Sequence, residues 1–257
     1  MNAVNENYSL KLLLALMMLC LLSIDHPAQN STKPQTPNEI IKKTIEASGG
    51  DVWKNPKTLQ LEGRAIVYFS GQPKKLTLYK MWRVFPEENN AAHSANGKIR
   101  FDAFEGDDLF FQIAFDGQKT YQKLSEQAKP YSEFLRWSNN FGFSIFRYTK
   151  DDGFEIELLP EDSVDAHECY FLKITDPSKN ETIFGIDKNS FLIRYVAFRT
   201  PIGFHQRIYD DFSRDPKTGF IQPRRLRIFN EGIKIADVFW EKFKINEPIA
   251  DQIFSLR

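Results

Sequence analysis

Leu59–Phe85, LQLEGRAIVYFSGQPKKLTLYKMWRVF, decides the fold class. Its first part has a period of two. Leu61, Gly63, Ala65, Val67 and Phe69 fall on one side; Gln60, Glu62, Arg64 and Ser70 fall on the other. Such alternation is the mark of a half-buried strand. Gly71-Gln72-Pro73 then supplies turn chemistry. The second strand, Leu76 to Phe85, is apolar on both sides, with Leu76, Leu78, Trp82 and Val84 opposed to Tyr79, Met81 and Phe85. A strand wet on one face would not read this way. Both faces are expected to meet core, a covering helix or a ligand.

Upstream, Asn38 is placed to cap a helix running to Ser48, with Ile40, Ile41, Thr44 and Ile45 on one stripe. Gly49-Gly50 ends it. Downstream, strands are expected at Ile99–Phe104, Leu109–Phe115 and Lys119–Leu124, the last two joined by the hairpin signal Asp116-Gly117. Residues 131–148, YSEFLRWSNNFGFSIFRY, break the alternation. Phe134, Leu135, Trp137, Phe141, Phe143, Ile145 and Phe146 form a dense apolar set there, read as one or two short helices lying across the sheet. Strands resume at about 154–159, 169–175, 182–187, 191–200, 203–213, 222–230 and 233–245. Many short strands at steady spacing indicate a sandwich or barrel.

The chain has 257 residues, 42% apolar and 14% aromatic, including 23 Phe. That is enough to fill a core or line a cavity. Lys+Arg and Asp+Glu balance at 34 each, so the net charge is zero. This argues against a nucleic-acid partner, which needs a basic face.

Residues 12–24, LLLALMMLCLLSI, form an uncharged run of 13 after Lys11. A bilayer span needs about 18 or more apolar residues. The run therefore reads as the core of a signal peptide over residues 1–28, cut after Ala28, although His26 fits that site poorly. A retained anchor helix is the alternative. Met17, Met18 and Leu19 before Cys20 do not fit a lipoprotein signal. Residues 29–37 read as a polar linker, and 38–257 as a single β domain. The mature chain would keep one cysteine, Cys169, and no internal disulfide.

Catalytic chemistry finds little support. His93, His167 and His205 lack metal-ligand spacing, and G-x-S-x-G and phosphate-loop patterns are missing. Asp107-Asp108, Asp151-Asp152 and Asp210-Asp211 sit at expected turns or strand ends. No catalytic residue, metal or cofactor is expected, and the chain reads as a non-enzyme. A lipocalin G-x-W is not met either, since Gly50-Asp51-Val52-Trp53 has one residue too many.

The order of motifs is informative. A leader and a glycine-ended helix precede a small-residue strand. A Trp-bearing strand, Lys80-Met81-Trp82-Arg83-Val84-Phe85-Pro86, follows. Next comes Ala114-Phe115-Asp116-Gly117-Gln118-Lys119-Thr120-Tyr121, then a helical insertion and more strands. The hairpin Ile183–Leu192 and the close Asn246-Glu247-Pro248-Ile249-Ala250-Asp251-Gln252-Ile253-Phe254 complete the pattern. This resembles the LolA/LolB-like superfamily of periplasmic carriers that sort outer-membrane lipoproteins.

The resemblance implies a mainly β fold: a curved antiparallel sheet forming an incomplete barrel, with an N-terminal helix and short lid helices. It implies an exported protein, periplasmic or secreted and soluble after signal cleavage, acting as a monomer, that holds a lipid, a lipoprotein acyl chain or another apolar ligand, with an envelope protein as a further partner. Residues 131–148 become the lid, Trp82 and Phe115 wall candidates beside Tyr79, and Arg83 a lid latch, although it lies two residues before the family's position. The competing reading is a non-enzymatic envelope module with a filled core. A cavity of about 300 Å³ or more between sheet and lid is the expected signature of a carrier.

Overall fold

In a computed structural model, residues 35–85, 97–123, 128–130, 143–147, 149, 153–177, 179–200 and 203–256 are described, residues 128–130 by backbone alone. The fold opens with helix α1, Pro37–Ser48. It starts two residues earlier than the Asn38 cap would place it. Thr36 is the cap: its Oγ1 accepts from the Glu39 N–H at 3.3 Å, and the Thr36 N–H donates to Glu39 Oε2 at 2.8 Å. This reciprocal box satisfies two end donors, and Pro37 needs no donor at the first turn. The expected stripe is buried at Ile40, Ile41 and Thr44. A short helix α2, Asp51–Lys54, follows and buries Trp53.

The strands are β1 Thr58–Phe69, β2 Gln72–Val84, β3 Lys98–Glu105, β4 Asp108–Phe115, β5 Thr120–Lys123 and β6 Ala128–Pro130. After α3, Ser144–Arg147, come β7 Glu155–Val164, β8 His167–Thr175, β9 Glu181–Asp187, β10 Ile193–Thr200, β11 Gly203–Arg214, β12 Ile221–Asn230 and β13 Ile233–Ile245. A 3-10 helix at Asp251–Phe254 follows β13.

Among the described residues, 13 strands form one antiparallel sheet in the order β6-β5-β4-β3-β2-β1-β13-β12-β11-β10-β9-β8-β7. Every neighbouring pair is a sequence-adjacent hairpin except β1 with β13. The first and last strands therefore meet in the middle of the sheet. The two edges, β6 and β7, are neighbours in sequence, and α3 lies on the chain between them. The curved sheet is not closed: an incomplete barrel, mostly β, with few helices.

One glycine sets the inner face. Gly63 pairs with Tyr79 of β2 and with Trp240 of β13, and the register shifts on both sides of it. These are β-bulges, each putting one extra residue on a strand. The β2 bulge explains the two-faced strand. Leu76 is buried before it, and Met81, Arg83 and Phe85 are buried after it, on the opposite sequence parity. The apolar residues change sides while the inner face stays continuous. Phe69 departs from the expected inward set, being 55% exposed at the β1–β2 tip, where it meets the Phe110 ring edge-on.

The outer face of the second half carries an ionic ladder. Arg194 Nε donates to Asp187 Oδ2 at 2.8 Å, and Arg227 Nη2 donates to Asp210 Oδ2 at 2.7 Å. Arg194 also reaches Asp210, and Arg227 reaches Asp165. Asp187 closes the β9–β10 turn by accepting from the Asn189 and Ser190 N–H groups at 3.0 and 2.7 Å. Burial alone would raise its carboxyl, but the Ser190 and Arg194 donors outweigh that and hold it at about 2.

The sign follows from linkage. A carboxyl whose folded pKa lies below its unfolded one adds stability above the unfolded value and loses it as pH falls through the folded one. The contribution is about 2 kcal/mol, full above about pH 5 and fading toward pH 2. The stability gap between wild type and Asp187→Asn should therefore shrink as acid is added. Urea titrations at a series of pH values measure it, and a gap independent of pH would contradict the assignment.

Candidate functional site

A half-open cavity of about 120 Å³ lies on the inner face of β1–β3 and β11–β13. Leu59, Leu61, Met81, Val238, Leu226 and Ile228 give it aliphatic walls. Its aromatic wall is a stack running across strands. Tyr79 lies flat on Trp240 at 5.2 Å and on Phe101 at 6.0 Å, both with interplanar angles of 16°. The Tyr79–Trp240 stack forms above Gly63, which pairs with both residues and contributes no side chain. Phe143, just before α3, also lines it, 5.1 Å from Tyr209 and 5.6 Å from Trp53.

Arginine is the unexpected part of the lining. Arg83, Arg147 and Arg207 all face the cavity and are 6%, 5% and 2% exposed. Arg83 and Arg147 both lie over Phe85, at 4.8 and 5.1 Å, and Arg147 also covers Trp53 at 4.7 Å. Arg207 Nε donates to His205 Nε2 at 3.0 Å. The His205 Nδ1 proton therefore points to Asn230 Oδ1, 2.7 Å away. Burial first, then the Arg207 charge, hold His205 down to about 3, so it stays neutral. Burial likewise raises the Tyr79 and Tyr209 phenols above their ordinary value.

The sequence candidates divide cleanly. Tyr79, Phe143 and Arg83 line the cavity. Phe115 and Phe146 are buried in packed core, Phe146 edge-on to Phe184 at 5.0 Å. Phe134, Leu135, Trp137 and Phe141 lie outside the described residues. Trp82 is not among the residues that line this cavity. It shares its face with Lys80 and pairs with Arg100, whose guanidinium lies over the ring at 5.6 Å. Arg100 also donates to the Ile253 carbonyl at 2.7 Å, so the C-terminal segment covers this outer face. That cover accounts for the apolar residues on the second side of β2. Trp82→Ala should cost about 1 kcal/mol and leave cavity binding unchanged. Thermal melts and probe titration check both.

Arg147, Arg207 and Trp240 were not singled out in the sequence, and Trp53 entered only in a rejected lipocalin motif. Trp240 alone had a signal, its place on an alternating strand. Most of the stretch expected to roof a cavity of about 300 Å³, residues 131–142, lies outside the described residues. The space suits a benzene-sized group. Among the described residues, no cluster of three or more His, Cys, Asp or Glu could hold a metal, and no helix is long and apolar enough to cross a membrane.

No family model and no curated protein matches the sequence. Solved structures do match the fold. A DUF1329 family protein from Desulfovibrio piger superposes with TM-score 0.60 at 10% identity, covering 85% of this chain and 96% of that one. A putative outer membrane lipoprotein-sorting protein domain from Vibrio parahaemolyticus gives 0.56 at 11% identity, covering 84% and 94%. A LolA superfamily protein from Nitrosomonas europaea gives 0.50 at 15% identity, covering 84% and 97%. The fold is LolA-like.

Proposed function

We propose that this LolA-like domain is a non-enzymatic carrier of the cell envelope, exported by its leader and soluble in the periplasm. Its cargo is a lipid, a lipoprotein acyl chain or another apolar ligand. One observation carries the reading: an unclosed sheet holds a half-open cavity whose wall is the Trp240–Tyr79–Phe101 stack. Pockets of this make-up are the usual seats of small apolar ligands. The names of the structural neighbours, one of them a lipoprotein-sorting domain, agree with it. An acyl chain longer than the present space must displace a lining ring. Phe143 is the candidate, because no strand holds it.

The test is extraction of the mature protein, purified from cells, for lipid mass spectrometry, with uptake of a fluorescent acyl probe by the delipidated protein. Bound lipid and saturable uptake are expected. Recovery of neither would sink the proposal.

A second reading, an envelope partner-recognition module with a filled core, draws on the modest volume of about 120 Å³. Trp240→Ala separates the two. A cavity wall loses about 1–2 kcal/mol and the probe. A filled core loses about 3–5 kcal/mol, with no probe binding to lose.

A further inference from the structure

We infer that one end of the sheet docks on a lipid bilayer, with Phe69 and Ile233 inserted below the headgroups. In linking that end to the cavity the inference rests on the carrier reading, while its own test does not.

Three large apolar side chains are well exposed among the described residues: Phe69 at 55%, Leu158 at 40% and Ile233 at 70%. Two of them share one end of the sheet. Phe69 closes β1 and Ile233 opens β13, neighbouring strands last paired at Val67 with Ala236. Each flanks a two-residue hairpin turn of the same form. Ser70 and Gly71 have φ of 49° and 79°, and Glu231 and Gly232 have 48° and 75°. Paired positive φ values mark tight turns that continue the twist of their strands. Polar flanks would serve such turns equally well, so the exposed Phe and Ile are not explained by the turns.

Area, charge and continuity name the occupant. Two side chains on hairpin tips fall far short of the roughly 800 Å² a side that a specific protein contact buries. A bilayer needs no matching surface, and it takes up any apolar group that reaches its acyl chains. Lys74, Lys75 and Lys234 stand near the tips, against Glu105, Asp107, Asp108 and Glu231. Lys74 pairs with Glu105 at 2.6 Å, and Lys234 pairs with Asp237. That near balance gives little pull toward anionic headgroups, so apolar burial drives the docking. The Phe69 ring meets Phe110 at 5.8 Å, Phe110 meets Phe111 at 5.9 Å, and Phe111 meets Tyr79 at 6.2 Å, all edge-on. An aromatic track thus joins the tip to the Tyr79–Trp240 stack of the cavity wall. A lipid leaving the bilayer at Phe69 has apolar contact along that track, whereas a protein held at the tips has no use for it.

The test is flotation of the mature protein, purified from cells, with vesicles of phosphatidylcholine and phosphatidylethanolamine, with or without phosphatidylglycerol. The wild type should float with the neutral vesicles. Phosphatidylglycerol or added salt should change its partition by less than about twofold, because the charges near the tips balance. Phe69→Ser and Ile233→Ser should each weaken partition about tenfold, and the double variant should not float. Leu158→Ser, on the edge strand β7, should float like the wild type. A second arm holds even if a serine variant fails to fold. The added emission of Ile233→Trp should be quenched by lipids brominated on their acyl chains, and that of Leu158→Trp should not.

No flotation of the wild type would overturn the inference, assign the tips to a protein partner and leave the carrier reading to its own lipid extraction. Undiminished flotation of the double variant would overturn it too, as would equal quenching at positions 158 and 233. Binding that needs phosphatidylglycerol and is lost in salt would overturn it in favour of a purely electrostatic contact.

Discussion

Gly63→Val should leave little folded protein at ambient temperature. A Cβ built at Gly63 lies 1.9 Å from the Phe239 carbonyl oxygen and 2.9 Å from the Trp240 Cα. Both obstacles are backbone atoms of β13, so no side chain can rotate away. Relief requires β1 and β13 to part at the pairing that joins the two ends of the chain in mid-sheet. The same residue lies beneath the Tyr79–Trp240 stack, so added atoms also disturb the cavity wall. Overpacking a well-filled site typically costs about 1–3 kcal/mol, and an immovable backbone contact belongs at the top of that range or above. Gly63→Ala should show a smaller loss in the same direction. Urea unfolding followed by tryptophan fluorescence measures both. Wild-type stability in Gly63→Ala would show that β1 and β13 can separate without cost.

Trp53→Ala should be the most damaging truncation, at about 3–5 kcal/mol. Trp53 is 1% exposed. It receives the Phe146 ring edge-on at 6.3 Å, the Phe143 ring at 5.6 Å and the Arg147 guanidinium at 4.7 Å. It therefore holds α3 and Phe143 against α2, and its loss should loosen the mouth of the cavity as well as the core. Trp53→Phe keeps a ring and should recover more than half of the loss. The predicted signature is joint, a lowered unfolding midpoint with altered acyl-probe affinity. A lowered midpoint with unchanged affinity would mean that Trp53 stabilises the fold without shaping the cavity.

Both residues show how legible the chain was. Gly63 was visible as a small residue on an apolar strand face, but its role depends on strands nearly 180 positions apart. Trp53 was considered only as a failed lipocalin motif. Its partners come from residues 143–147, which no spacing connects to it.

Local signals read well because local physics sets them. Helix periodicity from Ile40 to Ile45, the Asp116-Gly117 turn and the alternation from Leu61 to Val67 each depend on backbone geometry within a few residues. The Asp116 carboxylate does accept from the Gln118 and Lys119 N–H groups at 2.8 and 2.7 Å. Strict alternation failed in β2, because a bulge reverses side-chain parity and the sequence around Thr77 does not announce one.

By itself, then, the sequence determined a β-rich chain of consecutive hairpins with a capped N-terminal helix and more aromatic residues than a one-sided sheet can use. Hairpins and helix turns are made by residues close in the chain, so their instructions lie in it. Only the tertiary structure decided that β1 pairs with β13 and that Tyr79 stacks on Trp240 above a bare glycine. It alone decided that three arginines turn inward while Trp82 turns out. Those outcomes follow from long-range register and from the shape left between packed elements, which exist only once the sheet has curled.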